Sequence, residues 1–279
     1  TGSRDEILFI NYLNLFCTTT IFFREGITVK QQSDTSEDSH THRVTGVPTF
    51  ILLLRKKTLQ NSTMVLTLYK KDTSAPCRSV FMVFEALGIK DVKLINMNLQ
   101  QRDQFQEEYL KMNPQHTIPT LVDDDFVIWD SHAITTYLIN KYAKDDSLYP
   151  SDARKRALVD QRLHFDTGVL FAALFATMVP VLYHGEKTFR PENLTKIKNA
   201  YDIIEKFFSG PWLTGDTLTL ADICCVSTIS SLNEIIPIDV NLYPKLTAWF
   251  TRCSAQEFYT KANVVGLQAF REMVKNTVA

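Results

Sequence analysis

Glycine and proline are scarce in this chain, 9 and 10 among 279 residues, which excludes collagen-like and low-complexity architecture. Charge of one sign is also missing: 30 Lys and Arg stand against 31 Asp and Glu, a formal charge of −1. That balance argues against nonspecific nucleic-acid binding, which depends on a basic surface that neutralises phosphates. Two apolar stretches near the start, ILFINYLNLFCTTTIFF and FILLL, are both shorter than the roughly 18 uninterrupted residues of a membrane helix. The Arg4-Asp5-Glu6 opening supplies neither the basic region nor the cleavage site of a signal peptide. The five cysteines, at 17, 77, 224, 225 and 253, form no C-x-x-C pair. Adjacent Cys224 and Cys225 on a helix point about 100° apart and cannot easily share a zinc. Reduced thiols and a cytoplasmic location follow, with no metal expected.

What is present is ordinary globular material, 45% hydrophobic and 22% charged, enough for real cores and for two domains. The leading residues 1–63 read differently from the rest, with a polar run (QQSDTSEDSHTHR) between the two apolar stretches. The first methionine is Met64, and an orderly pattern starts directly behind it. Upstream translated sequence, an uncleaved anchor and a genuine extra segment compete as readings. The first is favoured, so residues 1–63 are expected to be surplus, poorly ordered or making few contacts.

Behind Met64, short strands alternate with helices. VLTLY (65–69) is β-rich. In CRSVFMVFEALG, Val80, Val83, Phe84 and Leu87 fall at helical spacing, and Gly88 supplies a stop. VKLINM (92–97) reads as a strand, 103–111 as a weak helix, TLV and FVIW as a hairpin around three aspartates, and 131–142 as a helix. This order over 64–145 is the thioredoxin-like plan, an α/β unit with a mixed sheet. A polar linker, KDDSLYPSD (144–152), leads into an all-helical domain over 152–279. Its periodic segments run near 152–183, 191–209, 219–235, 243–254 and 262–276. Thr219 and Asp222 form a capping box at the third, stapled by Leu218 and Ile223.

Three clusters carry chemistry. In TSAPCR (73–78), Pro76 suits the first turn of a helix. Ser74 therefore stands at a helix N-terminus, where an anion is favoured. The first position of a thioredoxin-type pair is Ser74 and only the second is a cysteine, Cys77, so no disulfide can close there. Ser74 is either a hydroxyl aimed at a bound thiolate or simply a helix cap. In NPQHTIPT (113–120), a cis bond before Pro119 would free the backbone of Ile118 to pair with a peptide-like ligand. His116 beside it can bind a carboxylate, or can be a plain turn residue. In Asp130-Ser131-His132, the serine and the helix N-terminus can hold a carboxylate while Asp130 pairs with an ammonium. The same residues also make an ordinary N-cap. Three such clusters in the right order within one β-α-β-α-β-β-α unit point to binding of a peptide-like molecule with an amino-acid head group.

The motifs SAPCRS, NPQHTIPTL, DSHAI, KDDSLYP and LTLADICCVSTISS resemble those of the cytosolic glutathione transferases, most closely the insect delta and epsilon classes. The resemblance covers residues 64 to about 275. It implies that Ser74 is the catalytic serine hydrogen-bonded to the glutathione sulfur and that Leu99 lies near that site. His116 would contact the glycine end of glutathione, and Ile118 would pair with its cysteinyl part. Asp130 and Ser131 would grip the γ-glutamyl group, with His132 next to them. Asp130 stands where many relatives carry glutamate. In HFDTGVLFAALFATM (164–178), Phe171, Leu174, Phe175 and Met178 recur at i, i+3, i+4 and i+7, which alone suits core. The resemblance places all four along a hydrophobic substrate pocket, and it also implies a homodimer.

The chemistry this implies is thiolate activation. A free cysteine thiol has a pKa near 8.5, so only a few per cent is thiolate at neutral pH. Lowering it by about two units requires roughly 2.7 kcal/mol of preferential thiolate stabilisation. A charge-assisted bond from Ser74 together with the helix terminus is of that size. The expected function is detoxifying transfer of glutathione to lipophilic electrophiles. A glutathione-dependent dehydrochlorinase or isomerase, a steroid-handling transferase and a noncatalytic binder of hydrophobic ligands are the alternatives. A redox role through Cys77 ranks behind them.

Overall fold

A computed structural model describes residues 66–278; the extra leading segment expected at 1–63 lies outside them. The described residues all fall within one compact unit. It opens with strand β1 (Leu66–Lys70), helix α1 (Ala75–Leu87) and strand β2 (Val92–Asn96). A 3-10 turn (Asp103–Phe105) and the short helix α2 (Glu107–Met112) follow, then the hairpin β3 (Thr120–Asp123) and β4 (Phe126–Trp129), and helix α3 (Ser131–Tyr142). This is the expected β-α-β-α-β-β-α order. The four strands lie in the order β2-β1-β3-β4, with β1 and β2 parallel and the remaining pairs antiparallel.

Local sequence accounts for the boundaries. Helix α1 stops at Gly88, whose φ of 70° is the left-handed conformation that glycine adopts without steric penalty. The hairpin turns at Asp124, with a φ of 56°, a conformation that aspartate tolerates better than most residues. Helix α3 starts at Asp130, the N-cap, whose carboxylate accepts from two backbone N–H groups of its first turn.

The rest is helical: α4 (Ala153–Phe165), a π turn (Asp166–Phe171), α5 (Ala172–Tyr183), α6 (Pro191–Glu205), α7 (Leu220–Ile235), α8 (Pro244–Ser254), α9 (Glu257–Ala262) and α10 (Val264–Thr277). The segment expected as one helix over 152–183 is thus interrupted by the π turn. Asp152 caps its start, accepting from the N–H groups of Arg154 at 3.1 Å and Lys155 at 3.0 Å. Near its end, Pro180 offers no N–H to the carbonyl of Ala176. The Asn193 side-chain amide of α6 donates to that carbonyl instead, at 2.7 Å. By length and composition alone, an apolar window in Ala153–Tyr183 could cross a bilayer. Here Leu170, Ala173, Leu174, Met178 and Val181 bury one side of it in the core.

Helix α7 is the spine of this half, buried on every side from Leu220 to Leu232. It packs against α1, α3, α4, α5, α8, α10 and the π turn. The carboxylate of Asp222, itself wholly buried, secures its start. One oxygen accepts from the Thr219 N–H at 2.8 Å, the expected half of the capping box, and from the Thr219 hydroxyl at 3.2 Å. The other accepts from the Leu213 N–H at 2.9 Å and the Trp249 indole at 2.8 Å. Asp222 thereby joins the preceding loop, α7 and α8 at one point. Replacing it by alanine leaves buried donors unpaired, and Asp222→Ala should lose about 3 kcal/mol in urea unfolding.

Candidate functional site

Strand register gathers the three clusters. Ser74 follows the C-terminal end of β1, and Leu99 follows the matching end of parallel β2, where Asn96 pairs with Lys70. Antiparallel β3 begins at the same end, Thr120 opposite Tyr69, so Ile118 and Pro119 enter there. Strand β4 finishes there too, Trp129 opposite Thr120, delivering Asp130, Ser131 and His132. Residues up to 58 positions apart in sequence therefore leave the sheet at one end, together with the N-termini of α1 and α3.

Ser74 is the half-buried N-cap of α1, with no capping hydrogen bond from its side chain. The hydroxyl therefore satisfies no backbone N–H of the helix, whereas the backbone is fixed: the Ser74 N–H donates to the Lys71 carbonyl at 3.0 Å, and the Ser74 carbonyl accepts from Arg78 at 3.0 Å. The Cys77 thiol lies against the Ser74 side chain and is wholly buried. Burial pushes its pKa up to about 11, against the lowering effect of Ser74 and the Lys71 backbone. A thiol held there stays protonated at neutral pH and is a poor nucleophile for disulfide exchange.

The Ile118–Pro119 peptide bond is cis. A buried polar knot holds the loop before it. The Asn113 amide donates to the Thr117 carbonyl and the Thr120 hydroxyl, both at 2.9 Å, and the Tyr109 hydroxyl donates to the same carbonyl at 2.5 Å. Ile118 is half-buried. His116 has a φ of 48° and stacks on Phe105 at 4.7 Å, and the Arg102 guanidinium lies 4.7 Å from that same ring. Leu99 is half-buried, and its carbonyl accepts from the Arg102 N–H at 3.2 Å.

Asp130 is exposed and has a φ of 72°, unusual for a residue with a side chain. Its carboxylate makes the N-cap bonds to His132 at 2.9 Å and Ala133 at 3.1 Å, both through Oδ1. Ser131 is half-buried beside it. His132 turns toward the helical half: Nε2 lies 3.0 Å from an Asp166 carboxylate oxygen, and Nδ1 lies 2.9 Å from the Thr167 hydroxyl. Burial alone would lower its pKa, but the hydrogen bonds to Asp166 and Cys224 outweigh that and raise it well above the ordinary value. Asp166 and Thr167 open the π turn, and sequence spacing gave no sign of this pairing.

The apolar stripe divides. Phe171 is half-buried and stacks on the exposed Phe175 at 6.1 Å. Leu174 and Met178 are buried in the helical core. Among the described residues, no group of three or more His, Cys, Asp or Glu side chains could hold a metal ion.

Comparison with known proteins decides the family. The N-terminal domain of glutathione S-transferases matches residues 68–146, and their C-terminal domain matches residues 163–257. Glutathione S-transferase 1 of Manduca sexta is 54% identical over 217 residues, covering 77% of this chain and 100% of that protein. This chain belongs to the glutathione S-transferase family. A glutathione transferase homologue from Drosophila mojavensis, solved with bound glutathione, superposes with a TM-score of 0.74 at 43% identity, covering 77% of this chain and 98% of that one. An epsilon-class glutathione S-transferase from the housefly, Musca domestica, gives a TM-score of 0.73 at 40% identity, covering 76% and 98%. Both epsilon- and delta-class insect enzymes are among the structural neighbours. Glutathione transferase activity, with glutathione as co-substrate, follows from this membership.

The raised pKa of His132 has a consequence for stability. Its stabilising contribution is fully present below the ordinary value near 6.5 and is lost as pH rises through the higher folded-state value. Wild-type stability in urea should therefore decline above neutral pH by more than that of His132→Gln. Equal slopes for the two proteins would remove the ion pair from the account.

Proposed function

We propose that this transferase activates glutathione through Ser74 and couples it to lipophilic electrophiles in detoxification. The observation that carries the reading is the Ser74 hydroxyl, which caps no backbone N–H of its helix, at the sheet end where the Ile118 backbone and the Asp130–Ser131 pair also emerge. Burial keeps the Cys77 thiol protonated, so a glutathione thiolate is the stronger acceptor for the serine proton. Two helix N-termini add positive potential where the thiolate and the glutathione carboxylates would lie.

In this reading His116 meets the glycine carboxylate and Ile118 pairs through its backbone with the cysteinyl part. Ser131 with the N-terminus of α3 holds the γ-glutamyl carboxylate. Asp130, with Oδ1 engaged by the cap, offers its second oxygen to the γ-glutamyl ammonium. His132 supports this pair from behind, and Leu99 borders the site. Phe171 and Phe175 line the electrophile side, with Leu174 and Met178 as the packed floor behind them. The thiolate sulfur attacks the electrophilic carbon, a carbon–sulfur bond forms, and a leaving group such as halide departs with its electron pair. The thiol proton goes to solvent. A homodimer in the cytoplasm is part of the same proposal; light scattering should give twice the chain mass.

Replacing the serine tests the mechanism. Ser74→Ala should lower kcat/KM for conjugation of an aryl halide by about 10²-fold, the kinetic equivalent of roughly 2.7 kcal/mol. The pKa of bound glutathione should rise toward its free value, while Cys77→Ala keeps most of the activity. A wild type as inactive as Ser74→Ala, yet still binding hydrophobic ligands, would favour a noncatalytic binding protein. Loss of activity confined to Cys77→Ala would point instead to thiol exchange.

A further inference from the structure

The turn that carries Ser74 is held by the helical half at three points. The Ser227 hydroxyl on α7 donates to the carbonyl of Ala75, the residue after Ser74, at 2.6 Å. One turn into α1, Arg78 donates its backbone N–H to the Ser74 carbonyl at 3.0 Å. Its side chain is completely buried. The guanidinium reaches the Ser230 hydroxyl at 3.2 Å, the Asn263 side-chain oxygen at 2.6 Å, the Ser227 carbonyl at 3.5 Å and the Ser231 hydroxyl. The third point is Gly266, in the first turn of α10. A Cβ there would stand 2.3 Å from the Asp72 carbonyl oxygen and 2.8 Å from Cδ of Arg78. This glycine lies within a helix, in a conformation open to any residue, so what it supplies is clearance: α10 rests directly on the backbone two residues before Ser74.

We propose that Ser227, Ser230, Ser231, Asn263, Arg78 and Gly266 form a positioning seam that fixes the Ser74 hydroxyl relative to the glutathione sulfur. None of these residues need touch the substrate; they act through the backbone of residues 72–75. The inference rests on the reading of Ser74 as the thiolate donor. A donor aimed at a thiolate depends on position, and a displacement of about 1 Å can cost on the order of 10²-fold in rate. Directional bonds to a buried guanidinium set one position, where apolar packing would tolerate several. The Arg78 Nε, buried without a hydrogen-bond partner, shows that this seam is not the arrangement that would maximise stability alone.

The test measures ultraviolet titration of glutathione bound to the full chain, alongside the pH profile of kcat for an aryl halide and the KM for glutathione. Gly266→Ala and Ser227→Ala should each raise the pKa of the bound thiol by about half a unit or more and lower kcat about tenfold, with KM changed less than about twofold. Val265→Ala alters the exposed neighbour of Gly266 and should leave all three unchanged. A role in folding alone would lower the thermal midpoint of the seam variants yet leave the thiol pKa of the folded protein at the wild-type value; that result overturns the inference. Should Gly266→Ala fail to fold, Ser227→Ala decides by the same criterion. Ser74→Ala separates the two levels. If it moves the thiol pKa and the seam variants do not, only the seam is refuted. If it leaves the pKa unmoved, the reading of Ser74 falls and takes the seam with it.

Discussion

A guanidinium buried among neutral oxygens is the constraint on which the arrangement of the two halves depends. Each hydrogen bond from the Arg78 side chain goes to a serine, an asparagine or a backbone carbonyl. Burial lowers its pKa to about 10, still well above neutrality, so the charge persists. Removing a charge from water is expensive, and neutral dipoles offset that only when their geometry is good. Helices α1, α7 and α10 must therefore keep one mutual placement for the charge to be tolerated at all. At the other end of α7 the buried Asp222 imposes a similar demand on α8 and the preceding loop. The spine of the helical half thus carries a buried guanidinium near one end and a buried carboxyl group at the other, each surrounded by hydrogen-bond partners that only the folded chain assembles.

The sheet does the remaining positioning. Because β1 and β2 run in one direction and β3 opposes β1, chain exits and entries alternate so that four loops collect at a single end. Two of those loops lead into helix N-termini. Positive potential is therefore built into the same place as the cis Ile118–Pro119 backbone, before any charged side chain is counted. A ligand with two carboxylates and a thiolate suits such a place for reasons rooted in backbone geometry.

Most of the fold was legible in the sequence because it rests on local periodicity and punctuation. The bounds of α3, the left-handed stop at Gly88 and the Asp222 half of the capping box are each set within a few residues of sequence. Helix α9, six residues long, is too short to display a period and fell in the gap between the segments expected at 243–254 and 262–276. The π turn was invisible for another reason: the partner of Asp166 and Thr167 is His132, more than thirty residues earlier. Family motifs drew attention to Ser74, His116 and Asp130, but the role of Arg78, although inside SAPCRS, shows only once its acceptors on α7 and at the N-cap of α10 are seen. Leu174 and Met178 illustrate the converse. Spacing puts them on one stripe with Phe171 and Phe175, and only packing shows that this stripe straddles the edge of the core.

The π turn at Asp166–Phe171 also changes how the long helix can be read along its length. A π turn takes in one residue more than an α turn, and one residue corresponds to about 100° of rotation. The half that begins at the Asp152 cap and the half that carries Phe175 are therefore out of phase, like two rulers joined with an offset. The first keeps the register imposed by the linker, and the second keeps the register imposed by its packing against α6 and α7. Gaining or losing a single residue at this joint would turn the face carrying Phe171 and Phe175 by about 100° while leaving the Asp152 cap where it is.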